Sequence, residues 1–190
     1  MLDPWLPPVG GSLGVVGESL DAMILVHTFE SPIGPLTVAE RAARVCLLHF
    51  GADGDAIDRM FDRWYPGEAR ARQPVPAIAT VLERYFDGEL SALDEVAVEL
   101  NGTPFQKNVW QALRRIPAGT TVSYRELARR VGEPAAVRAV GTANGANPVA
   151  VIVPCHRVIG SNGSLTGYGG GLDRKHWLLV HEGVMSQALF

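Results

Sequence analysis

From residue 23 onward, short apolar runs alternate with turn residues. Met23 to Phe29 reads as a strand, Ser31-Pro32-Ile33-Gly34-Pro35 as a turn, Leu36 to Ala39 as the partner strand, and Val45 to Phe50 as a third. Close connections make this a small antiparallel sheet. The spacing then turns helical: 55–64 is amphipathic, 70–76 is a linker, and 77–86 places apolar residues on one face and ends near Asp87-Gly88. Residues 94–100 alternate weakly, as a returning strand would. Thr103-Pro104 opens a helix through Phe105, Val109, Trp110, Leu113 and Ile116, which Pro117 to Thr120 stop. Ser123 with Glu126 is a capping-box pattern for a helix to about Val131, and Gly132-Glu133-Pro134 turns into another over about 135–144. Such a pair is a helix-turn-helix candidate. Ala150 to Val153 is an apolar, β-branched run that fits a short buried strand ending at Pro154. Gly160 to Gly163 signals a hairpin turn, Leu165 to Tyr168 a wing or loop, and Leu172 to His181 a last helix, with Trp177, Leu178 and Val180 inward and Gly183 as its stop.

These elements predict an α/β (α+β) chain. Residues 1–22 form a disordered leader or extension, 23–100 an α/β domain built on the small sheet, and 101–185 a mainly helical domain with a winged-helix-like helix-turn-helix. Residues 186–190 are a tail. The first domain shows no cluster of ligands or acid-base residues, so its expected role is support.

Charge separates the two halves. The net charge of −3 conceals 7 basic against 16 acidic residues over 1–100, and 10 against 4 over 101–190. A basic second half suits a polyanionic partner. No apolar stretch reaches membrane-span length and no secretory signal opens the chain, so a cytoplasmic, membrane-free protein is expected. The 2 cysteines exclude a disulfide scaffold. Cys46 sits mid-strand and reads as core, while Cys155 follows Pro154 and precedes His156 and Arg157, just before a glycine-rich segment. A thiol beside a base and flexible backbone is a nucleophile candidate.

The string Val153-Pro154-Cys155-His156-Arg157-Val158-Ile159 resembles the hallmark of the O6-alkylguanine-DNA alkyltransferases, also called methylated-DNA–protein-cysteine methyltransferases. Gly167-Tyr168-Gly169-Gly170-Gly171-Leu172 and Trp177-Leu178-Leu179-Val180-His181-Glu182-Gly183 match in register, and the resemblance covers about residues 23–183. It implies direct-reversal DNA repair, in which Cys155 takes a methyl or larger alkyl group from O6 of guanine, or O4 of thymine, in duplex DNA. The thioether formed is inert, so each molecule acts once. By the same resemblance His156 is the base, acting through a water, and Glu182 orients it and favours its charged form. Asn147 is a hinge, with an Asx turn before Pro148 as the plain alternative. Tyr124 turns the phosphate and donates to the departing guanine, and Arg138 fills the space that the extruded base leaves. Ala139 and Gly141 keep the recognition helix small-faced for a minor-groove approach. Tyr168 and Gly169 line the guanine pocket with Pro154, and the carbonyls of Cys155 and Val158 accept from the exocyclic amine.

Departures from the family bear on scope. Ala150 stands where some members have Pro and Gly169 where some have Ser, which leaves bulky adducts open. Cys46, His27 and His49 offer too little for the zinc site of some members, so neither metal nor cofactor is expected. The expected partner is double-stranded DNA carrying O6-alkylguanine, met by a monomer that can load cooperatively. A cysteine hydrolase would place its histidine remotely. A non-catalytic alkylated-DNA-binding or helix-turn-helix regulatory protein would leave Cys155 and Glu182 idle.

Overall fold

The computed structural model describes residues 23–52 and 54–186; the leader of 1–22 and most of the tail lie outside them. Strands β1 (Ile24–Phe29), β2 (Leu36–Arg41) and β3 (Arg44–Phe50) pair antiparallel. Ala42 and Ala43 make the β2–β3 turn at φ 46° and 58°, both in the left-handed region that a two-residue hairpin turn demands. Both faces of the sheet are covered, since Leu36, Val38 and Leu48 on one and Leu47 on the other are wholly buried.

Helix α1 (Asp55–Trp64) turns Ile57, Phe61 and Trp64 to the core. The expected linker contains a strand, β4 (Arg70–Arg72), which pairs parallel with β1 and gives the order β3-β2-β1-β4. The sheet is therefore mixed: Arg-Ala-Arg carries one inward residue, and its pairing comes from the backbone edge of β1. Helix α2 (Pro76–Phe86) buries Ile78, Leu82 and Tyr85. Beyond a 3-10 turn at Leu90–Leu93, the expected strand at 94–100 is reduced to one bridge, Val98 to Val45.

Helix α3 (Pro104–Leu113) begins with a complete capping box: Thr103 Oγ1 accepts from Gln106 N at 3.2 Å and Gln106 Oε1 from Thr103 N at 2.9 Å. In α4 (Tyr124–Arg130) the box is half made. Ser123 accepts from Glu126 N, but the Glu126 carboxylate turns to Arg129 and Arg130. Helix α5 (Val137–Gly145) completes the helix-turn-helix, and Trp110 Nε1 donates to Ala143 O at 2.8 Å, tying α3 to α5.

Two corrections lie around the reactive segment. Residues 150–153 are buried as expected but form turns, not a strand, with Val151 at φ 67°. That conformation is an outlier for a β-branched residue. Val149 alone bridges Leu48 of β3, where Leu48 N donates to Pro148 O at 2.9 Å and Ala150 N to Leu48 O at 2.8 Å. The N-terminal sheet thus holds the segment that leads to Cys155. The wing of a winged helix is not formed, and 165–168 take the other expected form, a loop: the turn at Gly160–Ser164 closes, 165–168 pair with nothing as strands, and β5 (Val122–Ser123) pairs parallel with β6 (Val158–Ile159). Helix α6 (Leu172–His181) buries Lys175, Leu178 and Leu179, leaving Trp177 and Val180 half-buried.

Candidate active site

Cys155 opens a single 3-10 turn, Cys155–Arg157, at the end of the turning segment. Asn147 shapes that segment. Its Oδ1 accepts from Val149 N at 3.0 Å, while its Nδ2 donates to Val153 O at 2.8 Å and to Cys155 Sγ at 3.2 Å. The Asx turn before proline and the contact with the thiol are one arrangement: the same amide that folds 147–153 places and solvates the sulfur.

Behind the thiol lies a buried ionic cluster. His156 Nε2 lies 3.0 Å from Glu182 Oε1, and Arg157 donates to both carboxylate oxygens, from Nε at 2.9 Å and from a terminal nitrogen at 2.8 Å. Arg157 also donates to Ile116 O at 2.5 Å. A carboxylate only accepts, so His156 carries its proton on Nε2, which leaves Nδ1 as a lone pair. Nδ1 is buried without a hydrogen-bond partner. Burial would raise the Glu182 carboxyl, but His156 and Arg157 hold it well below the usual range.

Glu182 pulls the imidazole towards its charged form, but burial outweighs that pull and holds His156 below its ordinary value of 6.5. The positive charges of Arg157, which takes the carboxylate in a two-pronged grip, and of Lys175 add to the effect of burial. Burial likewise pushes the Cys155 thiol up, opposed by the Asn147 hydrogen bond and by the charge of Lys175. At rest the pair is therefore a neutral thiol and a neutral base.

Lys175 is wholly buried on α6, donating to Val158 O at 2.6 Å and Thr166 O at 2.9 Å, and burial pushes its ammonium down to about 8. The Val158 carbonyl, expected to accept from guanine, is thus already engaged by Lys175.

A cavity of about 410 Å³ opens onto Cys155. The backbone of 167–170 with Tyr168, Asn147 and Ala150 forms one side, and His49, Phe50 and the α1 residues Met60 and Trp64 form another. Gly170 is required there, because a Cβ would fall 2.4 Å from the Phe50 ring. Of the expected pocket residues, Cys155, Tyr168 and Gly169 line this cavity. Pro154 and Val158 do not: Pro154 borders a cleft of about 200 Å³ with Arg157, and Val158 is buried. Tyr124 is also outside the lining. It stands half-buried at the start of α4, its hydroxyl donating to Thr166 O at 3.2 Å or Gly167 O at 3.3 Å. A Cβ on Gly141 would sit 3.7 Å from its ring, so Gly141 seats Tyr124 against α5. Arg138 and Ala139 are exposed on α5.

Sequence reasoning missed Arg157, Lys175 and Tyr85, whose hydroxyl donates to Glu182 Oε1 at 2.9 Å. The signals available were the apolar run before Arg157 and the spacing of 175, 178, 179 and 182, which puts Lys175 and Glu182 on one helix face.

Both halves match models of one family. The 6-O-methylguanine DNA methyltransferase ribonuclease-like domain matches residues 24–100, and the DNA binding domain of the same protein matches 104–184. Among similar proteins is the methylated-DNA–protein-cysteine methyltransferase of Mycolicibacterium paratuberculosis, 48% identical over 84% of this chain and 93% of the relative. That of Salmonella typhimurium is 43% identical over 85% and 97%. A Mycobacterium tuberculosis O6-methylguanine methyltransferase crystal structure superposes with a TM-score of 0.70 at 42% identity, covering 84% of this chain and 93% of that one. The structure of Mycobacterium tuberculosis OGT in complex with DNA gives 0.71 at 44%, covering 83% and 92%. These matches define the class as a cysteine methyltransferase fold. The chain belongs to the 6-O-methylguanine DNA methyltransferase family.

Proposed function

We propose that the protein repairs DNA by direct reversal, moving an alkyl group from O6 of guanine in duplex DNA to Cys155. The observation that carries this reading is the thiol at the edge of a glycine-walled cavity, with Asn147 on its sulfur and, on the next residue, the buried and unpartnered Nδ1 of His156. DNA is the partner, as the match to the family's DNA binding domain and the DNA complex of the relative support.

The step balances without a co-reactant. The thiol proton passes to His156 Nδ1 through one bridging water, giving a thiolate that Asn147 and Lys175 stabilise. Sulfur then attacks the alkyl carbon in line, the S–C bond forming as the C–O6 bond breaks. Guanine leaves with the electron pair, and a proton returns through the base or from the Tyr124 hydroxyl. The products are a thioether and unmodified guanine. A thioether cannot return the alkyl group, so the protein is single-use. Because O6 lies inside the base stack, the nucleotide must first leave the duplex. Arg138, exposed on α5, fills its place, with Ala139 allowing close approach. The protein acts as a monomer in the cytoplasm, and sedimentation on undamaged duplexes of increasing length tells cooperative from independent loading.

The test is the mass of the intact protein after incubation with a duplex carrying one O6-methylguanine. A gain of one methylene, lost in Cys155→Ser, is expected. An unchanged wild-type mass overturns the reading.

A further inference from the structure

The Glu182 carboxylate receives a donor that the transfer step above does not use. Tyr85 lies on α2, is wholly buried, and donates from its hydroxyl to Glu182 Oε1 at 2.9 Å. The same oxygen accepts His156 Nε2 at 3.0 Å and an Arg157 nitrogen at 2.8 Å. Tyr85 is anchored on a second side as well. Its backbone carbonyl pairs with His181 Nε2 at 2.8 Å, and its ring lies edge-on to His181 and Phe86, with centroids 5.1 and 5.2 Å away. Burial and the neighbouring carboxylate push the phenol up, so it stays a donor throughout the range in which the protein works.

We propose that Tyr85 is a positioning residue for the reaction of Cys155, fixing by its hydrogen bond the Glu182 carboxylate against which His156 is set. This rests on the alkyl-transfer reading. Three donors on one oxygen divide its negative charge, so each receives less of it. The share taken by Tyr85 weakens the hold of Glu182 on a charged imidazole. His156 thereby remains an acceptor for the thiol proton.

The other titratable and charged groups facing the ring and carboxylate are Arg157 beside them, Lys175 on α6, the Cys155 thiol and the Tyr168 hydroxyl, while His181 on α6 faces Tyr85. All of them stay in place when the Tyr85 oxygen alone is removed. His156 then receives a larger share of the carboxylate, and its proton is held to a higher pH.

The test is Tyr85→Phe in the full chain, which keeps the ring and its packing. Transfer from free O6-benzylguanine to Cys155 is followed by intact mass from about pH 5 to 9. The acid limb of the rate profile is expected to move up by about half a unit, read as a roughly twofold lower rate at the wild type's half-maximal pH. A purely structural role would lower the melting temperature and leave the limb where it was. An unmoved limb therefore overturns the proposal, whatever happens to the plateau. Absence of transfer in the wild type overturns the alkyl-transfer reading instead.

Discussion

The protein carries two buried thiols in opposite settings. Cys46, in the middle of β3, is wholly buried and donates to Ala39 O at 3.4 Å, and burial pushes it up to about 12. Cys155 is 7% exposed, and burial pushes it up too, yet an amide, a buried lysine and a neutral imidazole stand around it and a cavity leads to it. Burial by itself makes both thiols inert. What separates them is a set of partners able to receive a proton and stabilise the charge left behind, together with room for a substrate.

The largest expected difference is in chemistry. Cys155→Ser abolishes the mass gain from O6-methylguanine DNA, whereas Cys46→Ser keeps it and loses about 1–3 kcal/mol of stability by placing a hydroxyl in the core. Equal loss of transfer in both would erase the distinction. Next comes the ionic cluster. Arg157→Ala leaves Glu182 buried without its main counter-charge and should cost about 3–5 kcal/mol in urea unfolding. A loss below about 1 kcal/mol would mean that water reaches the carboxylate.

Arg138→Ala should slow transfer from duplex DNA on the order of tenfold, about 1.4 kcal/mol, and leave transfer from free O6-benzylguanine unchanged, since only the duplex requires extrusion. Equal slowing of both would remove its role as a finger.

The smallest effects are in pH dependence, and they have opposite signs at the two sites. His156 takes up a proton less readily folded than unfolded, so acidification below 6.5 favours the unfolded chain, by at most about 1.4 kcal/mol one unit lower. Glu182 adds to the acid loss further down, because its folded carboxyl is depressed. Cys46 holds its proton more tightly folded than unfolded, so stability falls as pH rises above its ordinary 9.0 toward about 12. Melting curves of His156→Gln and Cys46→Ala should flatten the acid and alkaline sides respectively.

Local patterns were legible. Helices α1 and α6, the turn at 31–35 between β1 and β2 and the Thr103 cap follow from spacing, turn residues and cap chemistry within a few residues. Burial of 150–153 was legible as well, but its conformation was not, because the Asn147 side chain bends that run through bonds to Val149 and Val153. β4 escaped notice because two arginines around one alanine present no apolar face. At the site, adjacency gave Cys155 and His156, and the motif gave Asn147 and Glu182. Arg157 and Lys175 read as solvated charges until their partners are known, and Tyr85 reads as core because its partner lies 97 positions along the chain.

That separation also orders events in time. A chain emerging from the ribosome can form the sheet and α2 early, since domains fold largely as their residues appear. Tyr85 must then wait for α6 before it meets Glu182, and His156 has no carboxylate until the same moment. The thiol is synthesised well before the group that directs its base. A nascent molecule should therefore stay unreactive until its last helix docks, which protects a protein that can react only once from being consumed half-made.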